Sequence, residues 1–166
     1  LHLLSRRQRQ MCIRDRHYVT GNDALISLAG PANKQGRIIA DNICGGDSRY
    51  LGSQGSSVIK VFDMTAATTG INETNAKKSG LEVDTVILSP MSHAGYYPGG
   101  KVMTMKVVFE KETYRLLGAQ IIGYEGVDKR IDVLATAIHA GLNATQLKDL
   151  DLAYACLLYT SPSPRD

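Results

Sequence analysis

Cysteine is scarce in this 166-residue sequence: Cys12, Cys44 and Cys156 are the whole supply. So few thiols suit a reducing compartment, the cytoplasm, and once the two chain ends treated below are set aside the single thiol left excludes an internal disulfide and a multi-cysteine metal site. Long hydrophobic runs are missing too. None approaches the ~20 apolar residues that a bilayer-spanning helix needs. No G-x-G-x-x-G follows a strand pattern, so the chain has no dinucleotide-gripping turn of its own. No internal repeat is visible. An excess of one charge is nearly lacking, since 19 Lys and Arg stand against 16 Asp and Glu, a net +3. That balance gives no reason to invoke nucleic acid or an anionic membrane.

Even this slight basicity comes from the ends. Arg6 to Asp15 reads RRQRQMCIRD, and Cys156 to Asp166 reads CLLYTSPSPRD. Neither has a hydrophobic period. Both resemble translations of the adapter DNA that transposase-based library kits attach to fragments, one in each direction. A basic arm or a targeting peptide is the competing reading of the first. On the adapter reading, residues 1–16 are an artefact expected to be disordered, residues 156–166 are a second one, and the natural sequence runs from His17 to Ala155. Setting the two ends aside removes six basic and two acidic residues, leaving 13 against 14, a net −1, with Cys44 the one remaining thiol. The 139 residues between them suffice for one domain with a real core.

What is present is patterned. Pro31 suits the first turn of a helix, because its ring fixes a helical φ and its missing N–H is not needed there. Behind it Ala32, Gln35, Ile38, Ile39, Asn42 and Ile43 recur at helical spacing, which predicts a helix to Cys44 closed by Gly45-Gly46. His17 to Ser27 reads as a loop carrying a turn signal, and the glycine-rich Asp47 to Gln54 as a domain boundary. Ser57 to Phe62 is a strand, and Met64 to Gly70 extends into a second short one. Asn72 caps a short helix through Lys78, stopped by Ser79-Gly80. Val83–Leu88, Val102–Glu110 and Leu116–Ile122 are strands, the last two joined as a hairpin through Lys111-Glu112-Thr113. Val127, Ile131, Leu134 and Ile138 predict an amphipathic helix to Ala140, with Gly141 as its cap. Asn143 starts one more helical turn. Strands followed by helices, with short connections, give an α+β class: a mainly antiparallel sheet with flanking helices.

The wording of these segments goes beyond their physics. LAGPANKQGRIIADNI resembles the helix that closes the flavin domain of the FAD-dependent pyridine nucleotide-disulfide oxidoreductases, in the branch of coenzyme A-disulfide reductases, NADH oxidases and NADH peroxidases. VIKVFDMTAATTG, SHAGYYPG, LLGAQIIG, GVDKRIDVLATAI and DLAYA resemble, in order and spacing, the dimerisation domain of the same enzymes. The resemblance implies that residues 17–48 end an FAD-binding domain and that 55–155 form the dimerisation domain. It implies a flavoprotein that uses NAD(P)H and FAD to reduce a small thiol or disulfide such as coenzyme A disulfide. An NADH oxidase or peroxidase, or a stand-alone dimerisation module without catalysis, are the other readings.

For particular residues the resemblance implies that the amide of Ala29 meets a flavin carbonyl, with Leu28 and Gly30 beside it. Ser27 departs from the proline expected there. It also implies a homodimer in which Ser92-His93-Ala94-Gly95-Tyr96-Tyr97-Pro98-Gly99 reaches the flavin and thiol of the other subunit. One of Tyr96 and Tyr97 then acts in catalysis; the alternative is that both phenols fill a domain interface. The helix from Val127 and the strand face of Val102–Phe109 are expected to supply part of the dimer contact. His93 is expected to make an orienting hydrogen bond rather than bind metal, and Asp128, Lys129 and Arg130 to form a solvated or inter-subunit charged cluster. Cys44 reads as a small buried apolar residue, and the family's nucleophilic thiol and nucleotide turn lie outside this sequence. Tyr154 opens a tail that in the family carries another site tyrosine. The sequence is therefore expected to be a fragment, inactive by itself.

Overall fold

The computed structural model describes residues 15–153. Tyr154 and most of the two adapter-like ends lie outside them. The chain divides after Gly55 into two compact units.

In the first unit, β1 (Asp15–Arg16) pairs antiparallel with β2 (Asp23–Ala24), Asp15 opposite Ala24 and Arg16 opposite Asp23. The turn between them is closed by His17 N–H donating to Asn22 O at 2.9 Å and by Gly21 at φ +69°. Disorder across residues 1–16 therefore does not hold for the last two. Asp15 is buried, and its carboxylate accepts the Ile26 amide at 3.1 Å, the Gln35 side-chain amide and the Tyr50 hydroxyl at 3.4 Å. Burial, helped by the neighbouring Asp15 charge, pushes the Tyr50 hydroxyl above its ordinary 10.

Helix α1 (Ala29–Ile43) follows, starting two residues before Pro31. Proline is tolerated at the third position because an N–H there has no partner within the helix. Gly45, at φ +90°, closes the other end by donating to Asn42 O at 3.1 Å. Cys44 is exposed, contrary to the expectation of a buried thiol. The helix buries none of its residues among the described ones, so its last turn has nothing to sink against.

The second unit is a five-stranded sheet with helices. Its elements are β3 (Ser57–Val61), β4 (Met64–Gly70), α2 (Glu73–Lys78), β5 (Val83–Leu88), β6 (Thr104–Glu110), β7 (Leu116–Gly123) and α3 (Val127–His139), with a final 3-10 turn at Gln146–Asp149. The strand order is β3-β4-β7-β6-β5, and every pair is antiparallel. The class is therefore α+β, as the pattern of strands and helices predicts. Ala67, Ala119, Ile121 and Val107 share one face by register and are buried. Helix α3 buries Val127, Ile131, Leu134, Ala137 and Ile138 and packs on β4 and β7. Each large side chain sealed there contributes ~1.5–3 kcal/mol of transfer energy. The apolar stripe of α3 is thus spent within its own unit. The opposite sheet face stays open, with Ile59, Ala66, Thr68, Thr104 and Ile122 lining a shallow depression of about 350 Å³.

β4 is second in the sheet and β5 is last, so the connection must cross two strands. It does so at Gly70, φ +67°, and Ile71, whose amide donates to Leu117 O at 2.9 Å. A Cβ on Gly118 would lie 1.9 Å from the Ile71 carbonyl oxygen. The crossing exists only because β7 carries no side chain there. Asn72 then caps α2 by accepting the Asn75 amide at 2.8 Å. Within α2, the Glu73 carboxylate sits between Lys77 and Lys106, each ammonium at 2.5 Å. The hydrogen bonds from Lys106 and Lys77, then their charges, lower its pKa from the ordinary 4.5 to about 2.

Among the described residues no helix is long and apolar enough to cross a membrane.

Two outcomes test this description. Gly118→Ala is expected to destabilise the second unit by ~3 kcal/mol or to prevent its folding, because backbone and not a flexible side chain must yield. An unchanged urea midpoint would contradict it. Glu73 binds a proton more readily unfolded than folded, so its contribution is complete above pH ~4.5 and fades as the pH falls toward 2. Wild type should therefore exceed Glu73→Gln in urea midpoint at pH 6, and the gap should narrow steadily as the pH is lowered from 4.5 toward 2. A gap that ignores pH would show that the ion pairs do not act on stability.

Candidate functional site

Two surfaces carry the residues singled out by sequence, one in each unit. In the first, Leu28 precedes α1 in extended geometry (φ −120°, ψ 148°) and offers no side-chain cap. Ala29 and Gly30 are exposed, and the first turn holds no acidic residue. Ala32 is the first amide to bond back, to Leu28 O at 3.4 Å. The amides of Ala29 and Gly30 therefore stand at the positive end of a 15-residue helix, suited to an electron-rich acceptor. A Cβ built on Gly30 meets nothing within 4 Å, so among the described residues no neighbour demands glycine there.

In the second unit the loop between β5 and β6 is fastened at its root. Met91 bridges Val102 in antiparallel fashion, Ser92 N–H donates to Lys101 O at 2.8 Å, and Met103 N–H donates to Pro90 O at 2.9 Å. The Lys101 amide returns a bond to Ser92 Oγ at 3.1 Å. The tip turns where Tyr97 N–H donates to Ala94 O at 3.0 Å, and Gly99 turns it back with φ +92°. His93 is buried, and its Nδ1 donates to Ala94 O at 3.2 Å, an orienting bond. The ring of Tyr97 stands edge-on to that imidazole, 6.4 Å between centroids and 87° between planes. Gly100 leaves room for the same ring, since a Cβ there would come within 3.2 Å of His93 Cε1. Tyr96 is 78% exposed and Tyr97 41%. Both phenols thus project from a loop whose base is rigid, and they differ: Tyr97 is braced by His93, whereas Tyr96 stands out. Beside the root, Lys101 Nζ lies 4.2 Å over the ring of Tyr124.

Arg130 corrects an expectation. Asp128 and Lys129 are exposed, but Arg130 is 5% exposed and does not belong to a solvated cluster. Its Nη2 donates to Met91 O at 3.3 Å and to Ser92 O at 3.1 Å, and its Nη1 donates to Gly126 O at 3.2 Å. The signal was in the spacing: Val127, Arg130, Ile131, Leu134 and Ile138 fall on one helical stripe, so the apolar face carries the arginine inward. Among the described residues, no three His, Cys, Asp or Glu side chains come together to hold a metal.

Residues 56–156 match the family profile described as the pyridine nucleotide-disulphide oxidoreductase dimerisation domain. A five-stranded antiparallel sheet, one face under a helix and a tyrosine loop at one end, is thus the dimerisation module of a redox class. The chain belongs to the pyridine nucleotide-disulphide oxidoreductase dimerisation-domain family. It is 43% identical to a structure of an NAD-dependent persulfide reductase from A. fulgidus, TM-score 0.88, covering 92% of this chain and 28% of that one. It is 37% identical over 140 residues to the NAD(P)H sulfur oxidoreductase (CoA-dependent) of Pyrococcus abyssi, 84% of this chain and 31% of the relative. It is 36% identical over 133 residues to the coenzyme A disulfide reductase of Staphylococcus epidermidis, 80% and 30% of the two chains. The chain spans about a third of the length of the curated relatives it matches.

Proposed function

We propose that this chain is the C-terminal part of a cytoplasmic, homodimeric NAD(P)H- and FAD-dependent disulfide reductase acting on a small thiol or disulfide such as coenzyme A disulfide. The observation that carries the reading is the loop of Tyr96 and Tyr97, two projecting phenols on a zipped and buttressed root, in a chain whose relatives are sulfur and coenzyme A-disulfide reductases. The start of α1 supports it as well. When bound, FAD supplies the two-electron relay between a nicotinamide and a thiol–disulfide pair.

This chain's own residues then do two things. The amides of Ala29 and Gly30, with Leu28 extended beside them, donate to an electron-rich carbonyl edge of the flavin. Their helix dipole favours negative charge at that edge. One hydroxyl of the Tyr96–Tyr97 pair, delivered to the other subunit, donates to the sulfur that becomes a thiolate when a disulfide is opened. The attacking thiolate forms the new S–S bond, the old one breaks toward the far sulfur, and the phenol holds the charge left there. Cys44, exposed at a helix end, takes no part.

Replacing the acting tyrosine by Phe in the full-length enzyme removes one hydroxyl and keeps the ring. A hydrogen bond to a charged sulfur is worth ~1.5–3 kcal/mol, so turnover should fall roughly ten- to a hundredfold with the folded dimer unchanged. Tyr96→Phe and Tyr97→Phe variants that both match wild type on coenzyme A disulfide and other disulfides would overturn the reading.

A further inference from the structure

The phenol loop is held at its root by a buried cation that donates to three backbone carbonyls, those of Met91, Ser92 and Gly126. We propose that Arg130 is a positioning residue for the disulfide step: it sets the root of the loop, and thereby the direction in which Tyr96 and Tyr97 project. The proposal rests on the reading of those tyrosines as site residues.

Three observations converge on it. First, Nη2 donates to two consecutive carbonyls, Met91 O at 3.3 Å and Ser92 O at 3.1 Å. Along a regular strand successive carbonyls face opposite ways. Two that converge on one nitrogen mark the point where the chain leaves the β5–β6 pairing and bends into the loop, and the guanidinium fills the inside of that bend. Second, the place for the guanidinium is made by Gly126. That residue has φ +73°, and a Cβ on it would lie 2.6 Å from Arg130 Nη1, while its carbonyl accepts from the same nitrogen at 3.2 Å. Glycine and arginine form a matched pair across the first turn of α3. Third, the restraint is passed on. Ser92 leads directly into buried His93, whose ring is roofed by Gly100 and stands edge-on to Tyr97. A shift of the Ser92 carbonyl must therefore move the imidazole against which a phenol rests. A flat fork with five N–H donors suits three carbonyls, whereas a lysine at the same place brings one nitrogen and no plane.

The test uses the full-length, FAD-loaded enzyme with Arg130→Lys, alone and in the background of whichever tyrosine-to-Phe variant is impaired. Arg130→Lys is expected to slow disulfide turnover about tenfold while flavin content, dimer mass and the rate of flavin reduction by NAD(P)H stay at wild-type values. In the Phe background the same substitution should cost nothing further, because the hydroxyl it positions is gone. Wild-type turnover for Arg130→Lys, or a loss equally large in the Phe background, would overturn the proposal. Should Arg130→Lys fail to fold, Gly126→Ala displaces the guanidinium while keeping it, and must give the same selective, Phe-dependent loss; if it does not, the proposal falls. Fully active Phe variants would instead sink the site reading itself, which separates the two failures.

Discussion

A backbone that crosses a sheet in the space of a missing side chain is the constraint on which this architecture depends. Ile71 passes over β7 at Gly118 with its carbonyl where a Cβ would be, and Gly70 turns into the crossing with a left-handed φ. Only that passage carries the chain from the second strand of the sheet to its far edge. Once β5 is at the edge, antiparallel pairing brings its end, the start of β6 and the end of β7 to one side of the sheet. Helix α3 begins there as well, after a connection of three residues from β7. Gly123 brings the layers close, since a Cβ on it would meet Met103 Cβ at 2.6 Å and Val127 Cγ2 at 3.2 Å. The loop of Tyr96 and Tyr97 and the first turn of α3 are therefore neighbours by topology, and Arg130 joins them.

Such a design separates what must be rigid from what must be accessible. The sheet and α3 bury the aliphatic side chains that stabilise the unit, and the loop rises from their rim with its polar root satisfied by backbone. Residues that act on a ligand are placed better on a loop with a fixed base than on a free one. The start of α1 follows a different logic. It has no side-chain cap and no acidic residue in its first turn, so its amides remain available to an acceptor from outside the chain.

Much of this was legible in the sequence. The α1 pattern closed by Gly45, the strand runs, the Asn72 cap and the helical stripe from Val127 all act through local periodicity and stereochemistry, which single residues reveal. Long-range effects were not legible. Nothing local says that Gly118 is glycine because Ile71 crosses it. Arg130 was read as one of three adjacent charges because charge suggests water, although its place on the apolar stripe argued otherwise. The strand at Asp15–Arg16 was hidden because the adapter-like wording removed those residues from fold reasoning, while a buried carboxylate with three donors holds them in place. Cys44 was expected to be buried on composition alone, but burial needs a surface to sink into, and no residue of α1 is fully buried by the described residues, its last turn being exposed throughout. The tyrosine pair was found by resemblance; its geometry, one phenol braced by His93 and one projecting, needed the structure.

The central claim is that each catalytic site draws on two subunits, the start of α1 from one and the Tyr96–Tyr97 loop from the other. A hybrid dimer of the full-length enzyme measures this directly. One subunit carries Ala29→Pro, which deletes an amide at a position where proline fits, Leu28 before it being already extended. The other carries Tyr96→Phe with Tyr97→Phe. Each variant is impaired as a homodimer. In the hybrid, one of the two sites receives an intact helix start and an intact loop, so activity should recover to about half that of wild type. A hybrid no more active than its parents would show that helix start and loop serve the same subunit, and would contradict the account.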